Sequence, residues 1–308
     1  MGTVTDFSTL AGRPTKITAR GFGWTHAGRT QPALADIDLV IEPGERVLLC
    51  GESGSGKSTF LAAIAGVLGS DEEGTRTGEI LLEDSTGVVE EPGHSIPVGL
   101  VLQDPDSQVI SARVGDDIAF GCENLAYPRE EIWRRVAAAK DLVGPFVDLD
   151  FPTERLSGGQ KQRLALAGVI AMGAGVVLLD EPTANLDPAG ARDVVRAVSA
   201  LVEETGATLV VVEHQHSAWE GLLDRAVEIA HGRIVADGPF EQVAKRRRVE
   251  GLPQAREMGD GAAGEGDAAL WSKDLVTRFG PPRTISLPAG ASTVIPGPNC
   301  AGNSTWLM

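Results

Sequence analysis

With 308 residues, 42% of them apolar, the chain is long enough for one large domain and a smaller piece, and apolar enough to bury a core. A formal charge of −16 at pH 7 argues against a general nucleic-acid binder, because phosphate backbones reward clustered Lys and Arg. Three cysteines (Cys50, Cys122, Cys300) are odd in number and far apart, so neither a disulfide framework nor a zinc site is expected.

No apolar N-terminal stretch follows a basic start, so a secretory signal is not expected, and the longest aliphatic runs are strand-sized. Work at a membrane would be that of a peripheral partner. Residues 1–14 read as a flexible N-terminus. A strand pattern begins at Thr15, turn signals occupy His26 to Gln31, and Leu34 to Ile41 reads as a second strand before a turn at Glu42-Pro-Gly-Glu45. The apolar run Val47 to Cys50 leads directly into Gly51-Glu-Ser-Gly-Ser-Gly-Lys57-Ser58. Leu61, Ile64 and Leu68 form an i, i+3/i+4 stripe and predict a helix from near Lys57 to Leu68. Further helices are predicted over 129–143, with Ile132, Val136 and Val143 on one face, and over Pro188 to Glu204, with Val194, Val195, Val198, Leu201 and Val202. Between them, Val176 to Leu179 and Leu209 to Val212 are aliphatic strands of the kind covered on both faces. This alternation predicts an α/β fold with a mostly parallel sheet and flanking helices.

Residues 245–268 read as a linker rich in Gly, Ala and charge, whose Lys245-Arg-Arg-Arg248 suits a solvated helix end better than a lipid contact. An internal repeat follows. Leu270-Trp-Ser-Lys-Asp-Leu275 repeats the opening strand pattern, and Ser292-Thr-Val-Ile295 precedes Gly297-Pro-Asn-Cys-Ala-Gly-Asn-Ser-Thr305, a second copy of the glycine-rich loop.

The first loop is built for a triphosphate. Gly51, Gly54 and Gly56 let backbone N–H groups close around phosphate oxygens, and the following helix adds its positive N-terminal end. Lys57 would place a full charge on the β/γ oxygens, and the Ser58 hydroxyl would hold magnesium. Asp180 ends an aliphatic strand, which aims its carboxylate at the place where magnesium would be, and Glu181 follows at once, placed to polarise a water.

Leu156-Ser-Gly-Gly-Gln-Lys-Gln-Arg163, Leu178-Leu-Asp-Glu-Pro-Thr183 and Ala184-Asn-Leu-Asp187 resemble the signature, Walker B and D-loop of an ABC ATPase. Val212-Glu-His214 resembles its switch-histidine strand, and Gln103 in Val101-Leu-Gln-Asp-Pro-Asp-Ser-Gln108 its Q-loop. The resemblance covers roughly residues 15–244 and implies an ABC-type nucleotide-binding domain with an antiparallel β subdomain and a helical signature subdomain. It implies ATP on Gly51, Glu52, Ser53, Gly54, Ser55, Gly56, Lys57, Ser58 and Thr59, with the ring of Trp24 stacked on adenine. It implies Mg2+ at Ser58, Gln103 and Asp180, and catalysis by Glu181, His214 and Gln103. Ser157, Gly158, Gly159 and Gln160 would grip ATP held by a partner, and Asp187 would signal across the interface. Such a site needs a second ABC ATPase domain, in a homodimer or with a related subunit.

Gln103-Asp-Pro-Asp-Ser-Gln108, Asp117-Ile-Ala-Phe-Gly-Cys-Glu-Asn-Leu125 and Val212-Glu-His214 resemble, more narrowly, the ATPases of energy-coupling factor (ECF) transporters. That implies an importer of a vitamin or transition-metal ion with a transmembrane T component and a substrate-binding S component, at the cytoplasmic face of the membrane, with no nucleic acid as partner. Other ABC importers, or a soluble ABC ATPase acting on nucleic acid or ribosomes, are the alternatives. Double-length ECF ATPases exist, and residues 269–308 read as the truncated start of such a second half. Its loop departs from the pattern, with Cys300 for a glycine and Asn303 for the lysine, so the main charge on the β/γ-phosphates is missing.

Overall fold

A computed structural model describes residues 10, 12–69, 73–144, 147–184, 186–214, 216–244, 268–275 and 283–288. The chain divides into two units, Met1–Leu186 with Gly190–Arg247, and Asp187–Ala189 with Arg248–Met308.

The first unit contains two sheets. One is antiparallel: β1 (Lys16–His26), β2 (Leu34–Ile41), β4 (Gly74–Glu83) and β5 (Val89–Glu90), in the order β2-β1-β4-β5. The other has six strands in the order β10-β9-β3-β8-β7-β6. These are β3 (Arg46–Cys50), β6 (Val98–Val101), β7 (Val176–Asp180), β8 (Thr208–Val212), β9 (Arg225–Ala230) and β10 (Arg233–Pro239). Every neighbouring pair in it is parallel except β10 with β9 at one edge. Among the described residues the sheets are accompanied by α1 (Lys57–Ile64), α2 (Val114–Asn124), α3 (Arg129–Leu142), α4 (Gly158–Met172) and α5 (Pro188–Thr205). Among the described residues no helix is long and apolar enough to cross a membrane.

The aliphatic strands are continuous runs because both of their faces are buried. Leu48, Cys50, Val177, Leu179, Leu209 and Val211 enter a core shared with α2, α3, α4 and α5. Their chain neighbours Val47, Leu49, Val176, Leu178, Val210 and Val212 enter a second core with Phe60, Leu61 and Ile64 of α1 and Ile17, Leu39 and Ile80 of the antiparallel sheet. The six-stranded sheet is thus a partition between two apolar layers.

One expectation is corrected here. The first helix stops at Ile64, four residues short of Leu68. Gly66 takes φ +71°, and a Cβ there would lie 2.5 Å from the backbone nitrogen of Gly93, so the chain turns under that crossing instead of continuing as helix. Strand β1 does not alternate simply. Irregularities in its pairing with β2, between Ala19 and Phe22 and between Phe22 and Trp24, leave Phe22, Gly23 and Trp24 buried in succession. In the second unit, β11 (Ala268–Leu275) pairs antiparallel with β12 (Arg283–Pro288). The expected tail at 1–14, the linker and the second glycine-rich loop fall wholly or mostly outside the described residues.

Arg225 ties the two sheets together. Its Nε and Nη2 donate to the two oxygens of Asp237 at 2.6 Å, and its Nη1 donates to the Val40 carbonyl at 2.9 Å and to Glu45 at 3.2 Å. Asp237 foremost, and then Glu45, hold the guanidinium in its charged form against the cost of partial burial. Arg225→Ala removes a donor from two carboxylates and a carbonyl, and is expected to cost about 2 kcal/mol of stability in urea unfolding.

Candidate nucleotide site

Four neighbouring parallel strands deliver the site. Leu49 lies opposite Val212, Val212 opposite Asp180, and Leu179 opposite Val101, so β3, β8, β7 and β6 end level with one another. The segments that follow them carry Gly51–Ser58, Glu213–His214, Glu181 and Gln103, all leaving the same carboxyl edge, where ligands of parallel α/β sheets bind.

The loop from β3 to α1 needs glycine because neighbouring backbone leaves no room for a side chain. At Gly51 a Cβ would come 2.2 Å from the Ile229 carbonyl oxygen. Gly56, at φ +107°, is the N-cap of α1, and a Cβ there would come 2.5 Å from the Ala33 carbonyl oxygen. No side chain caps the helix, so the N–H groups of its first turn keep their donors for a ligand. Lys57 is buried, and its Nζ donates to the carbonyls of Gly51 at 3.1 Å and Glu52 at 2.8 Å, which fold the ammonium back over the loop. Ser55 is buried with its Oγ unpartnered among the described residues, a donor on the same loop. Glu52, Ser53, Gly54 and Ser58 are exposed and Thr59 is half-buried.

Asp180 closes β7, half-buried. Burial pushes its carboxyl above the usual range; a hydrogen bond with Ser58 works against that, the Glu181 charge adds to it, and the Lys57 charge again opposes it. Ser58 and Asp180 are therefore neighbours, a hydroxyl and a carboxylate of the hard-oxygen type that magnesium prefers. Among the described residues no group of three or more His, Cys, Asp or Glu forms a metal cage. The hydroxyl and carboxylate of Ser58 and Asp180 fit magnesium, which keeps waters and takes phosphate oxygens as its other ligands.

Glu181 stands at φ +48°, a left-handed backbone position, with its N–H held by the Val212 carbonyl at 2.9 Å. A non-glycine residue there is held by its surroundings, and such residues cluster at functional sites. Both of its carboxylate oxygens are engaged: Gln103 Nε2 donates to Oε2 at 3.0 Å, and His214 Nε2 meets Oε1 at 3.0 Å. Three residues singled out in the sequence for catalysis thus form one cluster. The sequence reading missed Glu213. Its buried carboxylate accepts from the Thr183 hydroxyl and from the His214 N–H at 2.8 Å, locking the turn after Glu181 to the histidine. Only a charged residue beside the histidine at a buried strand end hinted at this.

The signature residues occupy another element. Ser157 is the N-cap of α4 and forms a capping box with Gln160, whose Oε1 accepts the Ser157 N–H at 2.9 Å. Gly158 and Gly159 lie beside Leu186. Helix α4 packs on α2, α3, β6 and the turn at Pro105–Gln108, whereas α1 packs on β6 and β7. Asp187 immediately precedes α5 and groups with the second unit.

Trp24 is a correction. It is 4% exposed, its ring lies in the core with Phe22 and Leu34, and its Nε1 donates to His26 Nδ1 at 3.1 Å. The irregular pairing of β1 turns the indole inward, so the ring at the surface is that of His26, not the one expected to stack on adenine.

A sequence profile described as ABC transporter matches residues 34–184. The chain is 37% identical over 249 residues to the energy-coupling factor transporter ATP-binding protein EcfA1 of Caldanaerobacter subterraneus subsp. tengcongensis, covering 77% of this chain and 86% of that one. It is 39% identical over 226 residues to a protein of Methanosarcina acetivorans assigned to the ABC transporter ATP-binding proteins; the match takes in 73% of this chain but spans only 35% of that relative's length. Among solved structures it resembles CbiO1 of Clostridium perfringens, described as part of the ABC transporter complex CbiONQ, with a TM-score of 0.64 and 31% identity over 78% of this chain and 94% of that one. The chain belongs to the ABC transporter family.

Proposed function

We propose that this chain energises an ECF-type importer of a vitamin or a transition-metal ion, acting on a transmembrane T component beside a substrate-binding S component. The observation that carries the reading is the cluster in which Gln103 and His214 each stand 3.0 Å from Glu181, on the sheet edge that also carries the Gly51–Ser58 loop. Similarity to EcfA1 over most of both chains, and to a subunit of the CbiONQ complex, supports the ECF type.

In this reading the triphosphate lies along Gly51–Thr59, with Lys57 on the β/γ oxygens. Ser58, Asp180 and Gln103 would hold Mg2+, which when bound supplies a Lewis acid for the phosphoryl oxygens. Glu181 orients and polarises the attacking water, and His214 steadies the γ-phosphate side. Ser157, Gly158, Gly159 and Gln160 come from a second ABC domain, and Asp187 speaks across that interface. Binding closes the pair and hydrolysis reopens it, driving the membrane partner at the cytoplasmic face. Residues 269–308 are the beginning of a second ATPase half whose loop, with Asn303 for lysine, cannot hold the phosphates as the first does. In this reading the second ABC domain is another copy of the first half or a related subunit.

Co-expression with a T and an S component tests this. The three proteins should purify together in detergent, and uptake into vesicles should require ATP. A chain that ignores every T component while its hydrolysis is stimulated by RNA would belong to the soluble class instead.

A further inference from the structure

The loop from β3 to α1 is braced from outside by the hairpin of β9 and β10. Strand β9 runs parallel to β3 with Glu228 opposite Cys50, so Ile229 and Ala230 continue beside the loop after β3 has ended. The Ile229 carbonyl fills the space that a Gly51 side chain would take. Ala230 then pairs with Arg233, which leaves His231 and Gly232 as the whole of the turn into β10. The Gly232 N–H donates to the Ser55 carbonyl at 3.2 Å. The same turn is fastened to β2: the Gly232 carbonyl accepts the Ala35 N–H at 2.9 Å, and Arg233 Nη1 donates to Asp36 Oδ2 at 2.8 Å.

The bond to Ser55 has a directional consequence. A peptide unit is planar and trans, so its C=O and the N–H of the next residue point opposite ways. Holding the Ser55 carbonyl on the Gly232 side therefore turns the Gly56 N–H away from the hairpin. Gly56 is the N-cap of α1, at the end of a helix where donors for a phosphate gather.

The turn is itself constrained. His231 and Gly232 take φ +49° and +73°, the pair of left-handed residues that a type I′ hairpin turn requires. Gly232 is buried, and a Cβ there would come 2.7 Å from the Ala33 carbonyl oxygen. His231 is exposed. What its position demands is a backbone that accepts positive φ, which histidine and asparagine do more readily than most residues and β-branched ones hardly at all.

We propose that His231 and Gly232 are positioning residues for nucleotide binding. Their left-handed turn holds the Ser55–Gly56 peptide in the orientation that presents the Gly56 N–H to a phosphate oxygen. His231 acts through its backbone and not through its imidazole. The inference rests on the reading that the triphosphate lies along Gly51–Thr59.

The test uses the full chain and changes only what position 231 asks of the backbone. His231→Asn removes the imidazole and keeps the turn, whereas His231→Val removes it and resists positive φ. His231→Ala resists it less, and stands in should the valine variant fail to fold. N-methylanthraniloyl-ATP with magnesium is titrated against each protein by fluorescence, beside a thermal melt without nucleotide. Binding should weaken about tenfold in His231→Val and about threefold in His231→Ala, and stay within about twofold of the parent in His231→Asn. In steady-state hydrolysis the loss should fall on KM and not on kcat. An asparagine variant that binds as poorly as the valine one would mean that the ring itself touches the ligand, and overturns the proposal. So do alanine and valine variants that melt earlier but bind like the parent, since the turn would then serve stability alone. A parent that binds no nucleotide would instead bring down the reading of the loop as a triphosphate site, and this inference with it.

Discussion

Lys57→Ala is expected to lower kcat/KM for ATP by roughly a hundred- to a thousandfold, the scale for removing one preorganised partner of a charged transition state. The lysine is buried at the first position of α1, and its Nζ donates to the backbone carbonyls of Gly51 and Glu52 in its own loop. Alanine is a good helix former at that position, so the fold should survive. A phosphate-release assay, run beside a thermal melt, separates the two effects. Turnover within tenfold of the parent would mean that the phosphates lie elsewhere, and a melt shifted by many degrees would mean that the lysine is a structural strut.

Glu181→Gln should be nearly as damaging to turnover and opposite in its effect on assembly. Glutamine has the same shape, and its amide can still meet Gln103 and His214, which now flank the carboxylate at 3.0 Å each. What it lacks is the charge that polarises water. Hydrolysis should fall by roughly two to three orders of magnitude, while a dimer should appear in light scattering with ATP and magnesium but not with ADP. A variant that remains monomeric at millimolar ATP would remove the main support for a nucleotide held between two molecules.

How much of this was legible beforehand varies with the physics of each part. The loop from β3 to α1 was readable because it needs glycines at fixed places for backbone reasons, at Gly51 and Gly56 above all. Strands β7 and β8 were readable because a strand covered on both faces is aliphatic throughout. The boundaries of α3 and α5 came within a residue, since each has one wet face and a clear stripe. Helices α2 and α4 gave no such signal. Helix α4 opens with Gly158 and Gly159 and buries Gln162, Leu164, Leu166, Ala167, Val169, Ile170 and Ala171, covering too much of its circumference for a stripe to stand out. Trp24 was misread because an irregular pairing in β1 is invisible in a two-residue alternation. The bonds of Glu213 and Gly232 are tertiary, joining segments that nothing in their local sequence connects.

The partition of alternate side chains between two cores has a further result. If β7 slid by one residue, Val177 and Leu179 would exchange surroundings with Val176 and Leu178, and both apolar layers would be disrupted at once. The heights of Asp180, His214 and the Gly51 loop are fixed by that penalty, independently of the helices in front of them. Under the proposed function, substitutions that refit the outer helical layer to a new membrane partner leave that edge in tune, so the same edge would serve other partners.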